Sequence, residues 1–399
     1  MDPCFFGLSV FEIVGVSLAA ILVGGFAIVR NSAKTIADTL TAKSDWPVYD
    51  NLSRRQCPPR FVGRDTLLKD LKALLHRGAG TVVQATVQGS GGFGKTTLAI
   101  ETAWQMKDRF RGVWLLRAEN ASSLQNSFTE LARAWGIETT GQRPDDVAKE
   151  TLRQVVADPE PWLLIYDNAD TPSVLNDLMP GDSGDHKTRV LITSRSKDWP
   201  PARTMIKVGV LDPEAATDLL ASYLPERDRG DLARLADHLG YWPLGLVGAA
   251  GYLRCHKNTS VEAYIESFDI TKSKLATADY AQGRNEEDLT YIAVLGVTTD
   301  QLSQDDRDLL SVLAFLNPDD LWPEMIAEGA VGELRDPFQD EPMPEFLKRA
   351  GEEPSLIIEG FDRLAENSVI EQEEHRWTMH RMTGEIWRGV LAAEGSSAL

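Results

Sequence analysis

The chain has 399 residues, 43% hydrophobic and 25% charged, which fits a folded protein of two or three domains and excludes a disordered one. Its formal net charge of -19 and pI near 4.8 repel phosphate backbones and disfavour generic nucleic-acid binding. Three cysteines, Cys4, Cys57 and Cys255, lie far apart without CxxC or CxxH pairing, which argues for a reducing compartment and against structural zinc.

Residues 13–29, IVGVSLAAILVGGFAIV, form an uncharged run. As a helix it would be about 26 Å long, slightly short of a ~30 Å hydrocarbon core. Asp2 and Glu12 stand where a signal peptide would be basic. Two readings stay open: a membrane-inserting helix, or a helix buried in a small domain or oligomer. Arg30, Lys34 and Lys43 follow the run and would keep the remainder cytoplasmic. Residues 1–30 are therefore an apolar N-terminal segment, and residues 31–58 a polar linker leading into CPPR.

Short apolar strands and helices then alternate. Strands are expected at 82–88, 113–118, 162–167, 189–194 and 206–211, with helices at 95–109 and 122–135. This pattern predicts an α/β domain over 59–211, its parallel sheet covered on both faces. After Leu211 the pattern turns helical, giving a helical domain over 212–285. Helices followed by the two short strands of SVIEQEEHRWTMH predict a winged-helix domain over 286–392, with a tail at 393–399.

The stretch VQGSGGFGKTT contains Gly89, Gly91, Gly92, Phe93, Gly94, Lys95, Thr96 and Thr97 and fits G-x4-GK-[ST] between a strand and a helix. Glycines let several backbone N–H groups turn toward phosphate oxygens, and the helix N-terminus adds partial positive charge. Lys95 would reach the β- and γ-phosphates, and the Thr96 hydroxyl would ligate Mg²⁺. The bland alternative is a glycine-rich turn that binds nothing. In LLIYDNAD, Asp167 ends an apolar strand on the edge where such sheets bind ligands, and is expected to be the second Mg²⁺ ligand, against the alternative of a turn or cap residue. Asn168 follows where a second acid would activate water, and an amide cannot accept that proton. Asp170 is the remaining candidate base, so hydrolysis is expected to be slow. In LITSR, Arg195 is placed to sense a γ-phosphate, against the alternative of a surface arginine.

From about residue 61 to residue 380, these motifs resemble the NB-ARC branch of the STAND NTPases, which includes plant disease-resistance proteins and fungal NOD-like receptors. FVGRD resembles the opening motif whose backbone holds adenine, and LGYWPLGL the helical-domain motif written GLPL, with Tyr241 and Trp242 in place of Gly-Leu. TMHR resembles the MHD motif, with Arg381 in place of aspartate. The resemblance implies that Val62 and Arg64 border adenine and ribose. Gly92, Gly94, Lys95, Thr96 and Thr97 would hold the phosphates. Pro243 would pack near the base, and His380 would reach the β-phosphate of ADP. It further implies an ATP/ADP switch with Mg²⁺, closed with ADP and self-associating with ATP, in innate immunity or regulated cell death. The signalling partner stays unnamed, and membrane contact would run through residues 13–29. Two other classes compete: an ATP-controlled winged-helix regulator of DNA, opposed by the acidic wing residues Glu371, Glu373 and Glu374, and a fast ATPase, opposed by Asn168.

Overall fold

The computed structural model describes residues 48–52, 61–76, 84–88, 91–181, 187–196, 199, 204–275, 286–318, 321–331, 345–373 and 376–393. The apolar run 13–29, most of the expected linker, Gly89 and Glu374 lie outside the described residues. Among the described residues no helix is long and apolar enough to cross a membrane. The chain divides into residues 1–48 and a second compact unit, residues 49–399, which carries all the elements below.

Among the described residues, the first part of that unit contains six strands: β1 (Tyr49–Asp50), β2 (Gln84–Gln88), β3 (Gly112–Arg117), β4 (Trp162–Asp167), β5 (Arg189–Ser194) and β6 (Thr204–Lys207). They form one parallel sheet in the order β1-β3-β4-β5-β2-β6. All six residues of β4 are buried, because helices cover both faces of a parallel sheet and leave no side for polar residues. The helices here are α1 (Asp65–His76), α2 (Lys95–Gln105), α3 (Ala121–Ala134) and α4 (Pro144–Ala157). Asn120 caps α3 by accepting from Ser123 N–H, and Pro144 opens α4 at a position that needs no donor. Leu124, Phe128 and Leu131 of α3 bury one stripe in a core with Trp114, Trp162 and Tyr166.

Two expectations change. The linker 31–58 contains β1, a sheet-edge strand. The Tyr49 ring stacks on Trp162 with centroids 5.8 Å apart and packs against Trp135, contacts available only once β3 and β4 are in place. Beyond β1, the Asn51 side chain accepts from Leu115 N–H and donates to Leu115 O, both at 2.8 Å, so an amide side chain continues the ladder. The strand expected at 206–211 ends at Lys207. The carbonyls of Gly209 and Val210 accept from Arg64 instead of from a neighbouring strand.

Among the described residues, five helices follow: α5 (Pro213–Tyr223), α6 (Arg229–His238), α7 (Pro243–Cys255), α8 (Val261–Leu275) and α9 (Glu286–Thr299). Because α9 packs on α7 and α8, the helical group extends past residue 285 to Thr299. A separate core starts at Leu302 and gathers Leu309, Phe346, Phe361 and Trp377. It is built by α10 (Gln304–Leu313), α11 (Pro323–Val331), α12 (Glu345–Glu352), α13 (Ser355–Glu366), the antiparallel pair β7 (Ile370–Glu373) and β8 (Arg376–Met379), and α14 (Arg381–Ala393). Leu321 bridges Trp377 on the open side of β8, which completes the small sheet of a winged-helix domain.

Gly112 faces the Trp162 ring so closely that an added Cβ would lie 2.1 Å from Trp162 Cζ3. Gly112→Ala is therefore expected to destabilise the protein by about 2–3 kcal/mol through overpacking, read as a lowered urea midpoint.

Candidate nucleotide-binding site

The loop between β2 and α2 is shaped by glycine at two positions. Gly94 sits at the N-cap of α2 with φ 82°, and no side chain caps the first turn, which leaves its N–H groups facing the loop for an anion. Gly92 has φ 71°, and a Cβ there would stand 2.7 Å from Leu244 Cβ and 2.8 Å from Trp242 Cζ2. Only glycine combines that backbone conformation with so close an approach. Phe93 is buried beneath the loop, and Thr97 is half-buried.

Lys95 is 6% exposed. Burial lowers its pKa to about 8 against the fields of Asp170 and Asp167, and Arg195 adds to the lowering. An ammonium this poorly hydrated gains much from a polyphosphate.

The Asp167 carboxylate at the end of β4 is the centre of the polar network. Its Oδ1 accepts from Thr96 Oγ1 at 2.7 Å and from Thr193 Oγ1 at 2.5 Å, and its Oδ2 accepts from Asn168 Nδ2 at 3.3 Å. A hydroxyl beside a carboxylate at the mouth of a phosphate loop is a hard-oxygen pair that suits Mg²⁺, which binds few protein ligands and takes the rest from phosphates and water. Thr96 and Asp167 are the residues that would hold it. Sequence reasoning missed Thr193, which is fully buried, donates to Asp167 and accepts Asn168 N–H at 2.9 Å. The available signal was a hydroxyl residue ending an otherwise apolar strand beside the Asp167 strand. Asn168 itself has φ 58°, a left-handed conformation that asparagine tolerates better than most residues.

Asp170 and Arg195 meet directly. Asp170 Oδ1 accepts from the Arg195 backbone N–H and Oδ2 from Arg195 Nε, each at 2.6 Å. Arg195 Nη1 also lies 3.8 Å from Glu385 Oε2 on α14. Arg64 donates to Gly209 O at 2.5 Å and Val210 O at 3.1 Å. Burial pushes its guanidinium pKa down, opposed by the charge of Asp212. A cleft of about 430 Å³ runs along Arg64, Thr66, Lys207 and Asp212, with Val62 half-buried nearby in sequence.

The later domains reach the loop itself. Trp242 Nε1 donates to Gly91 O at 3.0 Å, and Leu244 N–H donates to Gly92 O at 3.3 Å. Pro243 between them opens α7 and is half-buried. Tyr241, in the place of the expected glycine, has φ 57°, so it keeps the left-handed turn the motif requires. From the winged-helix side, Met382 Sδ lies 3.0 Å from where a Gly91 Cβ would be. His380 is exposed, with Nδ1 accepting from Met382 N–H at 3.3 Å. Its ring stands edge-on to Tyr291, and Tyr291 stands edge-on to Trp242. Arg381, in place of the motif aspartate, pairs with Glu119 at 3.0 Å, just beyond β3. Gly91 to Thr96, Asp167, Asp170, Arg195 and the Trp242–Leu244 turn thus converge, and His380 joins them through Tyr291.

Lys95 gives the site a pH dependence. Below pH 8 the free protein presents an ammonium to phosphate, and above it the charge is lost before binding. Apparent affinity for ADP is expected to be flat up to about pH 7 and to fall by up to about tenfold per unit above pH 8, measured by calorimetry. Stability without nucleotide runs oppositely. The folded state sheds this proton at about 8 and the unfolded state near the ordinary 10.5, so the contribution of Lys95 rises with pH across that window.

Residues 64–229 match the NB-ARC domain family. A nucleotide-binding leucine-rich repeat (NLR)-like protein of Hyaloscypha variabilis is 26% identical over 237 residues, 53% of this chain and 24% of its own length. The regulatory protein AfsR of Streptomyces griseus is 28% identical over 234 residues, 54% of this chain and 23% of its own. The chain thus spans about a quarter of the length of the curated relatives it matches. Among solved structures, a STAND protein with a tetratricopeptide repeat sensor from Pyrococcus horikoshii aligns over 84% of this chain and 43% of its own, at 16% identity and a TM-score of 0.47. Residues 64–229 are therefore an NB-ARC domain, built on a P-loop nucleotide-binding fold.

Proposed function

We propose that the protein is an ADP/ATP-dependent molecular switch of NOD-like receptor type, closed with ADP and competent for self-association with ATP. The observation that carries this reading is the double contact on the phosphate loop: Trp242 and Leu244 hold its carbonyls from the helical domain, and Met382 rests on Gly91 from the winged-helix domain. A nucleotide held by that loop bears on a segment that groups from the helical and winged-helix domains also hold. Its phosphate number then acts on their arrangement through differential contacts, which is what a switch requires.

Mg²⁺ on Thr96 and Asp167 would neutralise part of the phosphate charge. Lys95 binds the phosphates, and His380, placed through Tyr291 and Met382, is the winged-helix group that meets a diphosphate. Asn168 offers no base, and Asp170 is engaged by Arg195, so the protein is a slow ATPase at most. The NLR-like relative supports a role in innate immunity or regulated cell death. Residues 13–29 would supply membrane contact, and the acidic surface leaves nucleic acid outside the function.

Purified protein is expected to carry adenine nucleotide, mainly ADP, released by acid and identified by chromatography. Lys95→Ala is expected to carry none, because the buried polyphosphate loses its main counter-charge. Equal occupancy in the variant would reject the site.

The Arg381–Glu119 pair tests the closed state separately. Its side chains are 23% and 33% exposed, so it is screened only in part. Arg381→Glu sets two carboxylates against each other and is expected to speed ADP release about threefold to tenfold. Adding Glu119→Arg restores the pairing and is expected to return the rate toward that of the unmodified protein. An unchanged rate in the single variant would show that the pair does not hold the domains together.

A further inference from the structure

Asp170 has no duty in the scheme above, yet it makes the tightest charged contact of the site. Its two oxygens take two N–H groups of one residue, the backbone and Nε donors of Arg195, at 2.6 Å each. Ser194 Oγ lies 3.5 Å from Oδ1. The position of this pair is fixed by the sheet. Ser194 is the register partner of Gln88, the last residue of β2 before the phosphate loop, so Arg195 stands one residue past the last paired position, where that loop begins. The contact is half open to solvent, with side-chain exposures of 51% for Arg195 and 27% for Asp170, so an incoming anion can reach it.

A carboxylate gripping a guanidinium through two oxygens presents the same acceptor pattern as a terminal phosphoryl group. We infer that Asp170 is a specificity-determining residue: it occupies Arg195 in the place of a terminal phosphate and so biases the site toward nucleoside diphosphates. The inference rests on the nucleotide-switch reading above and names which residue sets its resting state. A diphosphate leaves the Asp170–Arg195 pair intact. A triphosphate must take Arg195 from Asp170 and meets the repulsion of the Asp170 charge as well. Arg195 also lies 3.8 Å from Glu385 on α14, so the same displacement draws it from its winged-helix neighbour. Asp170 is a positioning group in this arrangement, which removes it from the role of general base.

The test measures dissociation constants for ADP and for a non-hydrolysable ATP analogue, with Mg²⁺ and with EDTA, on full-length protein stripped of bound nucleotide. Asp170→Asn keeps an acceptor for the Arg195 backbone N–H but removes the charge. It is expected to strengthen binding of the ATP analogue relative to ADP by about tenfold. Asp170→Ser, a second variant with a smaller acceptor, is expected to shift the ratio in the same direction. In an Arg195→Gln background, Asp170→Asn is expected to lose most of its effect, since the two residues act as a pair. If both affinities change by the same factor, or the ratio moves toward ADP, Asp170 merely braces the loop and the inference is overturned while the switch reading stands. If unmodified protein binds neither nucleotide, both fall together.

Discussion

The hydrogen bonds from Trp242 Nε1 to Gly91 O and from Leu244 N–H to Gly92 O are the constraint on which the rest of the molecule turns. A phosphate loop directs its N–H groups inward, which leaves carbonyls pointing the other way. Buried carbonyls need donors. Here the donors come from another domain, so the shape of the loop and the seating of the helical domain are one problem with one solution. Gly92 shows how tight that solution is, because no side chain fits between its backbone and Leu244. Tyr241 shows the same from the other side. It holds φ 57° in the residue before Trp242, and its hydroxyl donates to Asp237 at 2.6 Å. A tyrosine thereby occupies a backbone conformation usually left to glycine.

Charge is arranged against the character of the whole surface. A chain of net charge -19 nonetheless collects Lys95, Arg195 and helix-start N–H groups at one edge of the sheet. The accompanying carboxylates are each engaged. Asp167 is satisfied by Thr96, Thr193 and Asn168, and Asp170 by Arg195. Without a ligand these contacts keep the site from collapsing into unpaired charge.

The parts legible in the sequence were those set by short-range patterns. The phosphate loop, Asp167 at the end of WLLIYD and the hairpin before His380 each depend on neighbours within a few residues, and each stands where spacing put it. The parts that escaped depend on distant partners. Tyr49–Asp50 is a strand because Trp162 and Leu115 receive it, and nothing in a two-residue strand announces that. The sixth strand stops at Lys207, and Arg64, far away in the chain, takes the carbonyls of Gly209 and Val210 beyond it. The run of the helical group on to Thr299 escaped because α9 reads as an ordinary helix, and only its packing on α7 and α8 joins it to them. Thr193 was passed over for a related reason. A threonine in a strand is common, and its role comes from Asp167 on the neighbouring strand. The serine-arginine pair after it drew attention because it carries charge.

The short β1 strand and the Asn51 amide bear on how copies of this protein can meet. An open parallel sheet ends in a row of unpaired backbone groups that invites another chain to add itself. On the β3 side that row is already taken, first by Tyr49–Asp50 and then by a side chain imitating a peptide unit at Leu115. Extension through this border would have to strip away both. An assembly through this border is thereby steered toward contacts between side-chain surfaces, which can be made and undone, and away from cross-strand fusion, which tends to be permanent.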